Sequence, residues 1–312
     1  MFDMPGQSHT GPLPKPTDRQ QRLQHKLKQD VTHLSQTIGP RHVNAPNALD
    51  QTESFIVDSF QSMGYTVERQ TYEAMNAQCT NLIVEIPGTD KDDEIVVLGA
   101  HYDTVPGSPG ANDNATGVAA LLALARIAQE DDFEPTRTLR FVAFVNEEPP
   151  FFQTEQMGSH VYAKRCHQRG DNIVAMLSFD GLGYYSNAKD AQTYPLPLLD
   201  MLYPKEGNFI AFVGNWSSRQ LVYDVVESFR CNTAFPSQGG AVPNLVPEVG
   251  FSDHWAFWQF DYPAVMVTDT LPFRDPHYHT ANDTIDHLDF DSLARVVTGL
   301  DSVMRALASP GS

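Results

Sequence analysis

Histidine and acidic residues follow several apolar stretches of this sequence at the point where each stretch ends. The residues in these positions are His101, Glu147 with Glu148, and Asp180. Open α/β sheets bind their ligands at the carboxyl ends of strands, so we expect these side chains to meet at one edge of a sheet. Asp113, in a loop before a helical pattern, and His279, far downstream, are candidates for the same edge.

The number and type of these side chains indicate a metal site. Burying such a cluster without a cation would leave uncompensated charge, at a cost of several kcal/mol per ion. A catalytic zinc ion takes three protein ligands and a water, so two imidazoles and three carboxylates suit two ions if one carboxylate bridges them. Three carboxylates against two divalent ions leave about one positive charge, which a bridging hydroxide would neutralise. The arithmetic therefore predicts an activated water.

The elements that must position these residues are short apolar runs and amphipathic helices. Extended runs are expected at 65–72, 82–86, 94–100, 139–145, 173–179, 209–213 and 264–267. Helical patterns are expected at 17–38, 56–63, 118–128 and 293–307. Near-continuous apolar strands that alternate with helices predict an α/β fold, with a mostly parallel mixed central sheet and helices on both faces.

The sequence divides into a short polar start and one long domain. Residues 1–16 are rich in Gly, Pro and Ser and are expected to form a flexible N-terminal arm, followed by a single catalytic domain over 17–312. Two Pro-, Gly- and Asn-rich stretches, 184–207 and 231–250, have no clear pattern. Long loops of this kind often border the ligand site.

Composition excludes several classes of partner. The net charge of the 312 residues is −18, and no run of Lys and Arg forms a phosphate-binding stripe, so nucleic acid is not expected as a partner. No apolar stretch approaches the roughly 20 residues that span a bilayer. No signal peptide is visible, and the three widely spaced cysteines are expected to be free thiols in a cytoplasmic protein. A leader already removed would leave the same sequence.

Five motifs occur in an order that resembles the M28 family of co-catalytic zinc aminopeptidases. They are HYDTVPGSPGANDNATG at 101–117, NEE at 146–148, SFDGLG at 178–183, FSDH at 251–254 and YHTANDT at 278–284. The resemblance covers roughly residues 45–308. It implies a zinc-exopeptidase fold, two zinc ions per chain, and hydrolysis of N-terminal residues from peptide substrates.

The resemblance also implies a role for each motif residue. His101 and Asp180 would hold one zinc ion, Glu148 and His279 the other, and Asp113 would bridge the two. Glu147 would be the general base that activates the bridging water. Three supporting residues are implied as well: Asp103 to orient His101, Tyr278 to donate a hydrogen bond to the oxyanion, and Asp253 behind the ligands.

One segment departs from the family pattern. Residues 149–157, with Pro149 and Pro150, intervene between the glutamate pair and Gly158. We expect Phe151 and Phe152 of this insertion to border the substrate pocket, with Trp216 or Phe235 as further candidates. An ordinary core position is the alternative for the last two. The resemblance also implies a cis peptide bond after Asp113.

Three alternatives to an aminopeptidase remain at this stage. A glutaminyl cyclase has a related fold and works with one zinc ion. A carboxypeptidase would need a cation for the substrate carboxylate, and Arg274 is the only nearby candidate. A non-catalytic binding protein on the same scaffold would be expected to lack some of the ligands, whereas all of them, and the base, are present here.

Overall fold

The computed structural model describes residues 4–242 and 246–311, and its centre is one eight-stranded sheet. The strands are β1 (Glu68–Ala74), β2 (Ala77–Ile86), β3 (Lys91–His101), β4 (Arg137–Phe144), β5 (Asn172–Phe179), β6 (Ile210–Asn215), β7 (Ser237–Val242) and β8 (Ala264–Thr268). They lie in the order β1-β2-β4-β3-β5-β8-β6-β7. Strands β4, β3, β5 and β8 are mutually parallel, whereas β2 and β6 run antiparallel to their neighbours β4 and β8. The sheet is therefore mixed, as predicted.

Helices cover both faces of the sheet. They are α1 (Asp18–Thr32), α2 (Pro46–Ser62), α3 (Thr116–Glu130), α4 (Gly158–Arg169), α5 (Pro197–Leu202), α6 (Arg219–Asn232), α7 (His254–Trp258) and α8 (Phe290–Ala308). Because side chains alternate along a strand, Val96 and Leu98 of β3 join the core beneath α3 and α8. Ile95 and Val97 join the core beneath α4 and α7. None of the helices in the described residues is both long and apolar enough to cross a membrane.

The N-terminal segment contacts the folded body along the described residues 4–16, although the sequence predicts a flexible arm; residues 1–3 of that arm lie outside the described residues. Met4 is buried against Val226 of α6 and Gly239 of β7. The guanidinium of Arg230 donates hydrogen bonds to the carbonyls of Met4, Pro5 and Gly6. These contacts anchor the start of the chain beside the edge strand β7.

Arg41, in the segment between α1 and α2, is a fully buried cation that fixes the loop after β3. Its Nε donates to the carbonyl of Tyr102 at 2.7 Å, and its Nη1 and Nη2 donate to the carbonyls of Pro109 and Gly110 at 2.8 Å each. Its backbone N–H donates to Thr104 Oγ1 at 3.1 Å. One side chain therefore joins the end of β3 to the loop that carries Asp113.

We expect Arg41→Met to lower the free energy of unfolding by at least about 3 kcal/mol, since several buried carbonyls lose their donor and each unsatisfied group costs about 1–3 kcal/mol. Urea unfolding followed by circular dichroism measures the change. The matched control is Arg305→Met, because the interactions of Arg305 lie near the surface: it pairs with Asp131 and Asp301 and lies over the ring of Phe133. That control is expected to cost less than about 1 kcal/mol. Equal losses in the two variants would contradict this account of Arg41.

Candidate metal centre

The acidic and histidine side chains predicted to meet do so at the carboxyl edge of three adjacent parallel strands. His101 is the last residue of β3, Glu147 and Glu148 follow β4 closely, and Asp180 directly follows β5. Since β3 lies between β4 and β5, it places His101 between the other two positions. The loop before α3 adds Asp113 to the same edge.

Two groups of possible metal ligands form there. In the first, His101 Nε2 lies 3.3 Å from Asp113 Oδ1 and 3.5 Å from Asp180 Oδ1. In the second, His279 Nε2 lies 3.0 Å from Asp113 Oδ2 and 3.2 Å from Glu148 Oε2. Asp113 thus presents one carboxylate oxygen to each group.

Glu147 belongs to neither group but lies beside the first. Its Oε2 is 4.0 Å from His101 Nε2. Glu147 and Glu148 are neighbours in the chain, yet only the carboxylate of Glu148 reaches His279. The structure thus divides the two glutamates between different positions.

Unpaired polar atoms show that both groups suit a cation. His101 Nε2, Asp180 Oδ1, Glu148 Oε1 and His279 Nε2 are all buried and have no hydrogen-bond partner among the described residues. Such atoms are costly to bury unless something else satisfies them. Imidazole nitrogens and carboxylate oxygens are the donor set that zinc accepts, so the residues present fit this metal.

The pKa shifts in the cluster have the same electrostatic cause. Burial, and then the nearby Asp113, raise the pKa of Glu148 to about 8. Burial also raises the pKa of Glu147 well above its ordinary value, with Glu148 and Asp180 adding to the effect. Burial opposes a charge on His279, but the nearby carboxylates of Asp113 and Glu148 outweigh burial and raise its pKa to about 10. Protons therefore supply the positive charge that the carboxylates require when no metal is bound.

Asp103 joins the ends of two strands. Its Oδ1 accepts the backbone N–H of Glu147 at 3.1 Å, and its Oδ2 accepts that of Glu148 at 3.2 Å. The same Oδ1 lies 3.6 Å from His101 Nδ1. One carboxylate thus contacts three residues of the cluster and joins two segments, the end of β3 and the loop after β4.

Asp283 plays a similar part on the other side, and the sequence reasoning assigned it no role. Its Oδ1 accepts the backbone N–H of Asn112 at 2.7 Å, and its Oδ2 accepts that of Asp113 at 3.1 Å. The available signal was its place in the motif YHTANDT, which ties it in sequence to His279. The peptide bond between Asp113 and Asn114 is cis, as expected.

Tyr278 and Asp253 lie near the cluster as predicted. The ring of Tyr278 stacks on that of His279 with centroids 3.7 Å apart, and Tyr278 lines the adjoining cavity. Asp253 is fully buried, and within residues 4–242 and 246–311 neither of its carboxylate oxygens has a hydrogen-bond partner. Burial raises the pKa of Asp253 to about 7.

A largely apolar cavity of about 260 Å³ opens beside Asp113, Glu147 and Asp180. Phe152 lines it and makes an edge contact with Phe251, with centroids 5.8 Å apart. Both unassigned stretches, 184–207 and 231–250, contribute walls to this cavity.

Three of the four aromatic residues considered for the pocket lie elsewhere. Phe151 is packed in the main hydrophobic core. Trp216 is on the surface, where the guanidinium of Arg219 stacks on its ring. Phe235 packs against Tyr185 in the core. Of the four aromatic candidates, only Phe152 lines the cavity.

Comparison with known families identifies the fold and the chemistry. The model of Peptidase family M28 matches residues 81–303. The chain belongs to this family. As an M28 member it is a hydrolase of the metallopeptidase class.

Two relatives illustrate the match within the M28 family. The uncharacterized protein YfbL of Escherichia coli is 33% identical over 287 residues, which cover 89% of this chain and 87% of that protein. Leucine aminopeptidase 1 of Arthroderma otae is 28% identical over 236 residues, which cover 70% of this chain but only 56% of that enzyme.

Solved structures share the M28 fold at low sequence identity. A zinc aminopeptidase from Bacillus subtilis has a TM-score of 0.71 at 16% identity, with 92% of this chain and 95% of that chain covered. A glutaminyl cyclase from Bacteroides thetaiotaomicron has a TM-score of 0.68 at 18% identity, with 94% and 99% covered. Both likenesses concern the fold alone, so the fold does not choose between these two activities.

We expect zinc binding to the metal-free M28 protein to release at least one proton per ion at pH 7. The raised pKa values of His279 and Glu148 mean that these groups hold protons below about pH 10 and pH 8, and a ligand must lose its proton to bind a metal. Apparent zinc affinity should therefore rise from pH 6 to pH 8. Calorimetric titration in two buffers with different ionisation enthalpies counts the protons, and a count of zero would contradict the raised pKa values.

Proposed function

We propose that the protein is an aminopeptidase that holds two zinc ions and uses Glu147 as its general base. The observation that carries this proposal is the position of Asp113, which faces both ligand groups, with Glu147 beside them and bound to neither. An arrangement of two complete groups around one shared carboxylate supports two ions better than one.

The residues that would hold the metals follow from the two groups. His101 and Asp180 would hold the first ion and Glu148 and His279 the second, with Asp113, which faces both groups, shared between them. Bound zinc supplies Lewis acidity, which polarises the scissile carbonyl and lowers the pKa of a water at the site. Asp103 and Asp283 hold the ligand segments through backbone N–H groups, so the ligands are positioned before a metal binds.

Glu147 moves the proton. Its carboxylate is buried, and its raised pKa brings it closer to the pH at which a base can accept a proton and then return it. Glu147 takes the proton of the attacking water and delivers it to the amine that leaves. The hydroxyl of Tyr278, beside His279 and facing the cavity, donates a hydrogen bond to the oxyanion.

The charges around the cavity favour an N-terminal substrate end over a C-terminal one. Asp180 and Glu147 line the cavity and would attract the substrate ammonium group. Arg274, the candidate cation for a carboxypeptidase, is buried, and it donates to Gln192 Oε1 at 2.7 Å and to the carbonyl of Phe209 at 2.8 Å. These bonds hold it within the wall behind the cavity.

A glutaminyl cyclase is the second candidate, because one such enzyme shares the fold. A single zinc ion would use one ligand group and leave the other with buried unpaired atoms. Both groups are complete here, which supports the peptidase. Zinc stoichiometry separates the two: about two ions per chain favour the peptidase, and one ion favours the cyclase.

We expect Glu147→Gln to lower turnover by a factor of about 10²–10⁴, the usual value of a positioned acid–base group, while bound zinc stays at the wild-type level. The amide keeps the size of the side chain but cannot accept the proton of water. Glu148→Gln is the matched control, since it alters a ligand and should lower zinc content and activity together. Hydrolysis of leucine 4-nitroanilide and atomic absorption provide the two readouts. Loss of zinc in Glu147→Gln, or near-normal turnover, would refute this division of roles.

A further inference from the structure

The cavity beside the metal centre is a channel whose floor is a row of residues across the sheet. Gln238 of β7 pairs with Ala211 of β6, and Ala211 pairs with Thr268 of β8. Phe179 of β5 pairs with Val267, so the next residue, Asp180, lies beside Thr268. All four residues of the row Asp180–Thr268–Ala211–Gln238 line the cavity.

The strand spacing gives the length of this channel. Neighbouring strands lie about 4.8 Å apart, so three spacings separate Asp180 from Gln238 by roughly 14 Å. The small side chain of Ala211 in the middle of the row leaves the space above the floor open.

A roof closes the channel on the side away from the sheet. Tyr203 donates a hydrogen bond to the carbonyl of Gly239 at 2.8 Å and lies over Gly240, where any side chain would crowd its hydroxyl. Tyr194 stacks on Tyr203 with ring centroids 5.7 Å apart. Leu199, which lies between them in the sequence, is buried. The segment 192–203 therefore confines a bound group to the direction of Gln238.

The far end of the channel is polar, whereas most of its walls are apolar. Gln238 is only partly exposed, and its side-chain amide makes no hydrogen bond within the part of the chain that the structure describes. An amide in this position can donate to or accept from a polar group at the tip of a bound side chain.

The length of the channel discriminates between substrate side chains. The methyl carbons of leucine are three bonds of about 1.5 Å from its Cα. A leucine side chain therefore extends roughly 4 Å from the Cα and fills only the end of the channel near Asp180. A tyrosine side chain extends roughly 6.5 Å from its Cα to the hydroxyl at its tip. The side chain of Gln238, when extended, can span the remaining distance, so that its amide forms a hydrogen bond with that hydroxyl.

We propose that Gln238 determines specificity, and that the enzyme prefers N-terminal residues with long side chains that end in a polar group, tyrosine above all. This inference rests on the proposed aminopeptidase function. Binding energy comes from apolar contact along the channel, and the hydrogen bond with Gln238 favours tyrosine over phenylalanine.

The test compares kcat/KM of the zinc-loaded protein for the 4-nitroanilides of alanine, leucine, phenylalanine and tyrosine. The expected order is tyrosine, phenylalanine, leucine, alanine. Gln238→Leu should lower the tyrosine-to-phenylalanine ratio about three- to tenfold, as expected for one hydrogen bond between neutral groups. The change should appear in KM, because Gln238 binds the side chain equally before and during the reaction.

A second variant tests the length of the channel. Ala211→Phe places a ring across the middle of the floor and should lower the tyrosine-to-alanine ratio at least about tenfold. Gln220→Leu is the matched control, since Gln220 is exposed on α6 and its side-chain amide donates a hydrogen bond to Asp224 on the same helix. Zinc content and urea unfolding of each variant confirm that it is folded.

The outcomes separate this inference from the proposed function. If the zinc-loaded wild type hydrolyses none of the four substrates, the aminopeptidase proposal fails. If it hydrolyses them but prefers leucine to both aromatic residues, or if Gln238→Leu leaves the tyrosine-to-phenylalanine ratio unchanged, the channel proposal is wrong and the aminopeptidase proposal stands.

Discussion

The rest of this structure depends on one electrostatic constraint: several buried carboxylates lie close together and need compensating positive charge. Asp113, Glu147, Glu148 and Asp180 are all buried beside His101. Their mutual repulsion and desolvation require positive charge in the same volume, from protons on the two imidazoles or from metal ions. The cis bond after Asp113, the buried Arg41 and the ends of three parallel strands all lie around this cluster.

Hydrogen bonds from backbone N–H groups, more than side-chain packing, fix the positions of the ligand residues relative to one another. Asp103 and Asp283 each use both carboxylate oxygens to bind two consecutive backbone N–H groups. Each acid thereby fixes a short stretch of chain that a single hydrogen bond would leave free to rotate. The geometry of the candidate metal centre thus depends on the main chain after β4 and in the loop before α3.

Periodicity and motif order predicted the parts of the fold that bury the most apolar surface. The helical pattern at 17–38 and the strands β3, β4 and β5 agree with the sequence reasoning, since each is decided by local periodicity or by a continuous apolar run. The strand β7 was not predicted, because its residues SQGGAV have neither alternation nor bulk. Its existence depends on pairing with β6, which no local pattern encodes.

The candidate site divides in the same way. Motif residues lie where expected because the strands that carry them are strongly encoded. Phe151 and Trp216 do not line the cavity, because the direction of a side chain in a turn depends on backbone angles that residue type does not reveal. The role of Asp283 is not predictable from a local pattern for a related reason. Its carboxylate accepts hydrogen bonds from backbone N–H groups that are 171 and 170 residues away in the chain.

The anchored start of the chain has a consequence for solubility. An edge strand presents unpaired N–H and C=O groups that can template pairing with another molecule. At one edge of the sheet, β1 carries exposed charges such as Glu68 and Arg69 that oppose such pairing. At the other edge, β7 has almost no charge, but Ser8 accepts the backbone N–H of Ser237 and Met4 packs against Gly239. The N-terminal segment thus shields the weaker edge from aggregation.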